Sequence, residues 1–253
     1  MKEQDPIDEI TPLTGVRIVL VEPAGPLNVG ATARVMKNFG LEHLVLVNPQ
    51  CDRLSSEAMK MAVHAKNILE SAVVVDSLLE ALQGCVSVIA TTGRDHDFPV
   101  PLENPRTALP WLLAPTNQPA ALIFGREDRG LSNEELNYAH RFLRIPSSSN
   151  YPSLNLASAV GICCYELAQA AQLDATPTFT TTELAPLELV EAYYQQLESL
   201  LLDIGYLYPH TATSRMEKFR QLYNRAHLQT NEVAMLRGLL RQVEWAINNQ
   251  RDG

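Results

Sequence analysis

Between Val16 and about Leu173, short runs of apolar, mostly β-branched residues alternate with amphipathic stretches, and this alternation limits the possible folds most strongly. The apolar runs are nearly continuous, which is typical of strands that are covered on both faces. Strands that alternate with helices form a mainly parallel sheet with helices on its faces. The sequence therefore predicts an α/β domain with strands at residues 16–21, 44–47, 73–76, 86–90, 121–124 and 142–145.

The chain changes character after this region. Residues 174–186 are rich in threonine and proline, which is typical of a linker. Three amphipathic patterns at helical spacing follow: Gly205 ends the first, Ser214 with Glu217 opens the second, and Thr230 caps the third. We predict an α/β domain at 1–173 whose residues 1–14 form a flexible tail, a linker at 174–186, and a helical domain at 187–253.

Several classes of protein are excluded by composition. No apolar run approaches the roughly 20 residues that a membrane span needs, and residues 1–11 are acidic where a signal peptide is basic. Cys51, Cys85, Cys163 and Cys164 lack the spacing of metal ligands and are interpreted as buried thiols. We therefore expect a cytoplasmic protein that uses no metal.

The net charge of −9 argues mildly against a nucleic-acid partner. The charge is uneven, however, because residues 208–241 carry six arginines and lysines against two glutamates, a local charge of +4. This segment is either a solvated helix face or a basic surface for nucleic acid.

The first polar loop runs from Glu22 to Arg34, directly after a predicted strand. The spacing of Gly25 and Gly30 mimics a phosphate-binding loop, but Ala31 stands where that loop has its lysine, and G-x-G-x-x-G is missing too. A glycine-containing turn remains, which leads into a helix with Arg34 about one turn inside it. That arginine could bind a phosphate or a hydroxyl oxygen, or it could be an ordinary surface residue.

Two more polar loops follow predicted strands. Residues 125–131 place four alternating charges between two glycines, and residues 145–155 are polar, interrupted twice by proline, and lead into an apolar helix. Each could be a plain capped loop. The carboxyl ends of parallel strands meet at one edge of the sheet, however, so we expect these loops and residues 91–94 to form one ligand site.

Two other chemistries have little support. No G-x-S-x-G sequence accompanies the six histidines, so a serine hydrolase is not indicated. Asp95, His96 and Asp97 are adjacent in a loop without further ligands at metal-binding spacing, and a solvated turn explains them better.

Together, the three loops resemble the motifs of the SPOUT RNA methyltransferases, in particular the TrmH group and its TrmJ-type tRNA enzymes. Asn28-Val-Gly-Ala-Thr-Ala-Arg34 is similar to the first motif, N-x-G-x-x-x-R. Phe124-Gly-Arg-Glu127 with Gly130-Leu-Ser132 is similar to the second, and Ile145-Pro with Ser153-Leu-Asn-Leu-Ala157 to the third. The matches span about residues 16–170, and residues 219–226 and 231–238 are similar to the helical extension of the TrmJ-type enzymes.

This resemblance implies a sheet closed by a deep trefoil knot, S-adenosylmethionine as the only cofactor, and a homodimer in which Arg34 reaches the partner's site. It also implies ribose 2′-O-methylation of tRNA at nucleotide 32. A ribosomal RNA target, another tRNA position and a non-catalytic RNA-binding protein remain alternatives. A nicotinamide or nucleotide enzyme is disfavoured by the missing glycines.

The resemblance also assigns roles to residues of this chain. Arg34 would hold the 2′-oxygen, Ser153 would position the same region, and Asn28 would fix the loop. Pro152 departs from the expected small polar residue and removes one backbone donor. The cofactor would contact Thr91, Thr92, Gly93, Gly125, Arg126, Glu127, Gly130, Ile145, Pro152, Ser153, Leu154 and Asn155. The RNA would contact Arg34, Arg215, Lys218, Arg220, Arg225 and Arg237.

Overall fold

A computed structural model describes residues 12–93, 101–173 and 184–251 and confirms the α/β class with a helical C-terminal region. Its sheet has seven parallel strands in the order β3-β2-β1-β6-β4-β7-β5. The trefoil knot stays a prediction. The strands are β1 (Val16–Val21), β2 (His43–Val47), β3 (Val73–Val75), β4 (Ser87–Thr91), β5 (Leu102–Glu103), β6 (Ala120–Phe124) and β7 (Arg141–Leu143).

Helices cover both faces of this sheet and make up the C-terminal region. In the α/β part they are α1 (Pro26–Asn38), α2 (Ser56–Ala62), α3 (Lys66–Ser71), α4 (Leu78–Ala81), α5 (Pro105–Ala108), α6 (Pro110–Leu113), α7 (Asn133–Leu136) and α8 (Leu156–Leu173). The C-terminal helices are α9 (Leu187–Asp203), α10 (Ala212–Ala226) and α11 (Thr230–Arg251).

The bounds of the six predicted strands are confirmed to within two residues. The structure differs from the prediction in the exposure of β3 and in the presence of β5. The prediction that all are covered on both faces is wrong for β3, because this strand lies at the sheet edge and leaves Val73 54% and Val74 44% exposed. Strand β5 was not predicted, because two residues are too few to show any periodicity.

The central strands show why the sequence folds in this way. Ile18 and Leu20 of β1 pack into the core on one face, and Val19 and Val21 pack into the core on the other. A strand buried on both faces needs apolar residues at nearly every position, and β1 provides them except at Arg17, which donates to the Ala81 and Gln83 carbonyls. The carboxyl ends of β4, β6 and β7 therefore meet at one edge of a rigid sheet.

Two predicted helix starts need correction. The reciprocal capping box of Ser132 and Glu135 is confirmed, but Glu80 accepts a hydrogen bond from the Asp76 amide instead of that of Ser77. Helix α10 begins at Ala212, before the predicted cap at Ser214, whose hydroxyl donates to the Thr211 carbonyl and so belongs to the first turn.

Helices α9 to α11 surround a core of their own, which includes Tyr193, Tyr194 and Leu240. They are joined to the α/β part through buried Asn224, whose Nδ2 donates to the carbonyls of Asn137 (2.9 Å) and Ala139 (3.1 Å). The predicted domain boundaries stay predictions, since residues 1–11 and most of the linker lie outside the described residues. The predicted flexible tail is wrong for residues 12–14, which belong to a short 3-10 helix (Pro12–Gly15) whose Leu13 is buried in the core. None of the helices in the described ranges is long and apolar enough to cross a membrane.

The glycine of the first motif has a packing role that a substitution can test. A Cβ on Gly30 would lie 2.3 Å from the Ala58 carbonyl oxygen in α2, whereas a Cβ on Gly161 in α8 would meet only Val35, at 3.5 Å. We expect Gly30→Ala to lower the free energy of unfolding by about 1–3 kcal/mol. Gly161→Ala should be neutral or stabilising by about 0.5–1 kcal/mol. Urea unfolding of both variants measures this, and equal effects would contradict the packing role.

Candidate functional site

A cavity of about 320 Å³ lies at the carboxyl ends of β4, β6 and β7, where an α/β fold binds its ligands. Two of the three loops predicted from the sequence, after β6 and after β7, meet around it with the end of β4, whereas no residue of the first loop is among its lining residues. Eleven of the twelve predicted cofactor residues line the cavity: Thr91, Thr92, Gly93, Gly125, Arg126, Glu127, Gly130, Ile145, Pro152, Ser153 and Leu154.

The twelfth predicted residue, Asn155, is not among the lining residues. Its side chain instead caps α8 through the Ser158 amide and donates to Asn28. The sequence did not predict several other lining residues. Two of them, Phe124 and Leu143, are the last residues of β6 and β7, and this position could have identified them. The missed lining residues are Phe124, Asp128, Arg129, Leu131, Leu143, Leu156 and Ala159.

The loop after β6 folds back on itself as a tight turn. Arg126 and Gly130 pair as an isolated antiparallel bridge, and Gly130 has a positive φ of 69°, which favours glycine. A Cβ on Gly125 would lie 2.1 Å from the carbonyl carbon of Gly130, so only glycine allows this approach. The turn forms one wall of the cavity.

The alternating charges of this turn form ion pairs that fix its shape. Arg126 Nε lies 3.0 Å from Asp128 Oδ1. Arg129 Nη2 lies 2.9 Å from Glu22 Oε2 and 2.8 Å from Glu135 Oε1. The plain interpretation as an ion-pair cluster is therefore correct for these side chains, and they brace the cavity wall.

One hydrogen-bonded network connects the three motifs. The Glu127 carboxylate accepts from the amides of Ala24 (2.9 Å) and Gly25 (3.0 Å) and from Asn28 Nδ2 (2.9 Å). Asn28 Oδ1 in turn accepts from Asn155 Nδ2 at 2.9 Å. Glu127, Asn28 and Asn155 thus hold the loops in register, and both Glu127 oxygens are already engaged.

These hydrogen bonds set the ionisation of Glu127. Partial burial by itself would raise the pKa of Glu127, but the bonds from Ala24, Asn28 and Gly25 outweigh it and lower the pKa below the usual 4.5. The carboxylate therefore contributes stability above pH 4.5, and the contribution is lost as pH falls through the lowered pKa.

This gives a pH-dependent prediction. We expect Glu127→Gln to destabilise the protein by about 1 kcal/mol at neutral pH, because a half-exposed carboxylate loses charge-assisted bonds that solvent partly screens. The difference from wild type should shrink below pH 4.5, where the carboxylate of the unfolded chain becomes protonated, and should vanish below the lowered pKa of the native carboxylate. Urea unfolding at several pH values measures it, and Glu42→Gln, an exposed control, should show no such trend. A difference that does not depend on pH would rule out this account.

The third loop completes the cavity. Ser147 Oγ donates to the Pro152 carbonyl at 2.9 Å, and Arg144 Nη2 donates to the Gly93 carbonyl at 3.2 Å. Pro152, the departure from the expected motif, therefore contributes its carbonyl to a bond within the loop. Ser153 is exposed and lies at the cavity rim.

Arg34 lies apart from this cavity. Its side chain is exposed on α1, it is not a lining residue, and it makes no hydrogen bond or ion pair with the described residues. Of the three residues predicted to be catalytic, Ser153 lies at the rim of the cavity and Asn28 lies behind its wall. Arg34 of the same chain does not reach the cavity.

The basic residues of the C-terminal region differ in their surroundings. Arg215, Lys218 and Arg225 are exposed. Arg237 is half-buried, with Nε 3.4 Å from Gln196 Oε1. Arg220 is already paired, because both of its terminal nitrogens lie 2.6 Å from the Glu191 carboxylate and its guanidinium stacks on Tyr194. Its assignment to the RNA surface stays a prediction.

No group of three or more potential metal ligands occurs within the ranges that the structure describes. Arg94, Asp95, His96 and Asp97 lie outside those ranges, so their predicted loop is not described. Burial raises the pKa of Cys85 to about 11 and that of Cys164 to about 12, which agrees with their interpretation as inert buried thiols.

Comparison with known proteins adds independent findings. Residues 15–165 match the SpoU rRNA Methylase family, and residues 188–252 match the C-terminal domain of the tRNA methyltransferase TrmJ. The tRNA (cytidine/uridine/adenosine-2′-O-)-methyltransferase TrmJ of Pseudomonas aeruginosa is 42% identical, over 92% of this chain and 95% of the length of that enzyme. The tRNA (cytidine/uridine-2′-O-)-methyltransferase TrmJ of Cronobacter sakazakii is 38% identical, covering 94% and 99%. The crystal structure of TrmJ from Z. mobilis matches with a TM-score of 0.81 and 30% identity, over 90% of this chain and 98% of that one.

Proposed function

This chain belongs to the SpoU rRNA Methylase family, and on that premise we propose that it transfers the methyl group of S-adenosylmethionine to a ribose 2′-hydroxyl of tRNA. Both curated relatives described above are named for this reaction, and their similarity extends through the helical region. The observation that carries the proposal is the cavity, because the second and third motif loops line it at the strand ends and Glu127 ties the first motif loop to its wall. A tRNA substrate would place the enzyme in the cytoplasm.

The cavity residues fit the proposed cofactor. Leu131, Leu143 and Leu156 provide an apolar surface suited to the adenine ring. Gly93 and Gly125 leave backbone groups open to the polar parts of the molecule. When bound, the cofactor supplies a sulfonium methyl group, an electrophile that needs no covalent enzyme intermediate.

The chemical task of this chain is to activate a weak nucleophile. A ribose hydroxyl must lose its proton as it attacks. Arg34 would stabilise the negative charge that develops on the 2′-oxygen, and the adjacent phosphate would accept the proton. Ser153, at the rim, would orient the ribose, and Asn28 would keep the first loop in place. Alignment and electrostatics would then supply most of the rate.

We further propose a homodimer in which Arg34 acts in the partner's site. The support is that Arg34 lies outside the cavity of its own chain while its side chain is exposed. A two-fold axis would complete both sites with the same pair of surfaces. We also propose that the methyltransferase domain ends at residue 173 and that the helical domain begins at residue 187. Helices α9 to α11 would then form a tRNA-recognition region.

Incubation with labelled S-adenosylmethionine and total tRNA, followed by mass spectrometry of nucleosides, tests the reaction. We propose nucleotide 32 of the anticodon loop as the target, so 2′-O-methylcytidine or 2′-O-methyluridine should be recovered from that position. The two relatives differ in whether adenosine is named, so 2′-O-methyladenosine should be measured as well. Base-methylated nucleosides would overturn the chemistry, and labelling of ribosomal RNA in a parallel reaction would favour that substrate. Calorimetry without cofactor binding would favour a non-catalytic RNA-binding protein.

A further inference from the structure

A second cavity of about 410 Å³ lies between the α/β part and helix α10, away from the motif loops. We name it the interdomain cleft. One wall is formed by residues of β5 and of the segment from α7 to β7, and the other by α10. Among the residues described as lining it, three are basic and one is acidic, for a net charge of +2: Arg141, Lys218, Arg225 and Glu103.

Two of these cations are available to an anion. Arg141 is neutralised by Glu103, with Arg141 Nε 2.7 Å from Glu103 Oε1. Lys218 and Arg225 are exposed and form no ion pair with any described residue. They are seven residues apart on α10, which is two helical turns or about 10 Å, so both face the same cleft.

Aromatic rings form the other part of the cleft. His140, Phe142 and His227 line it. The centroids of the two histidine rings are 6.1 Å apart, and the exposed side chain of Leu222 stands at the mouth. Flat rings next to cations are the surface that binds unpaired nucleotides, because a base can stack while its phosphate is paired.

His227 carries an unused polar atom within this surface. Its Nδ1 is buried and forms no hydrogen bond with any described group. Burial, reinforced by nearby Arg141, lowers the pKa of His227, so the ring is neutral at pH 7. A buried polar atom without a partner is costly in a native protein.

We propose that the interdomain cleft binds an unpaired nucleotide of the substrate RNA, with its phosphate between Lys218 and Arg225 and its base against the rings. This inference rests on the function proposed above. Arg141 in the cleft and Ile145 in the first cavity are four residues apart along the chain that runs through β7, a separation of at most about 13 Å. The two cavities are therefore neighbours along β7.

Steady-state methyl transfer by the full-length protein tests this. We expect Lys218→Ala/Arg225→Ala to raise KM for tRNA about tenfold. In a plot of the logarithm of the tRNA binding constant against the logarithm of the salt concentration, the slope should become shallower by about two. The value of kcat should change less than about twofold, because binding is lost without disturbing the transition state. Leu222→Glu, which places a negative charge at the mouth, should also raise KM.

Arg241→Ala is the matched control, since Arg241 is an exposed arginine of α11 that does not line the cleft. It should leave KM unchanged, and calorimetry should show wild-type affinity for S-adenosylmethionine in every variant. If the wild-type protein methylates tRNA but the double variant keeps its KM and salt dependence, the cleft assignment is overturned. The assignment is also overturned if these substitutions abolish the binding of free cytidine 5′-monophosphate but leave KM for tRNA unaltered. If the wild-type protein transfers no methyl group to tRNA, the proposed function itself fails.

Discussion

Arg34→Ala is expected to lower kcat for tRNA methylation by about 10²–10³-fold, the usual cost of removing a group that stabilises a developing oxyanion. The affinity for S-adenosylmethionine should stay near wild type, because Arg34 does not line the cavity. Stability should be unaffected too, since the side chain is exposed and has no partner within the described part of the chain. Calorimetry with the cofactor and single-turnover methyl transfer separate these effects, and normal turnover would remove Arg34 from the mechanism.

The same residue allows a sharper test of the shared site. A Cβ on Gly93 would meet only the Pro152 carbonyl, at 3.9 Å, so Gly93→Leu should fill the cavity without disturbing the fold. Each of Arg34→Ala and Gly93→Leu alone should have at most about 1% of wild-type activity. Mixing the two and allowing subunits to exchange should restore about a quarter of wild-type activity, because half of the dimers then have one intact site. An inactive mixture of verified mixed dimers would show that Arg34 acts within its own chain.

The strand framework could be predicted because burial on both faces leaves a direct trace in the sequence. Nearly continuous apolar runs such as Val16–Val21, interrupted only by Arg17, predict buried strands, and the polar residues that follow them must lie at the carboxyl edge of the sheet. The exposed edge strand β3 carries the same valine-rich signal, so the pattern alone could not reveal its exposure. Strand β5 is too short to carry any signal.

The roles of individual site residues were harder to predict. Glu127 and Asn155 are polar residues in ligand-binding loops, yet their hydrogen bonds go to Asn28 and to the first loop, about 100 or more residues away in the chain. Such long-range partners leave no periodic trace. Arg220 shows the same limit, because its partner Glu191 lies on another helix and converts an apparent surface cation into an internal one.

Gly125→Ala should have the largest effect on the cavity itself. The added Cβ would lie 2.1 Å from the Gly130 carbonyl carbon and 2.2 Å from the Leu131 amide nitrogen, and backbone atoms cannot rotate away as a flexible side chain can. The turn must open, which breaks the bridge between Arg126 and Gly130 and moves one wall of the site. We expect the free energy of unfolding to fall by about 3 kcal/mol. A wall displaced by about 1 Å should cost on the order of 10²-fold in methyl transfer.

Gly130→Ala is the comparison within the same turn. Its φ of 69° disfavours alanine, but a Cβ there would meet nothing within 4 Å. This variant should therefore lose only about 1 kcal/mol, and it should bind S-adenosylmethionine more tightly than Gly125→Ala does. Urea unfolding and cofactor calorimetry on both variants separate backbone collision from backbone strain. If Gly125→Ala unfolds and binds the cofactor like Gly130→Ala, close packing within the turn is not what shapes this wall of the cavity.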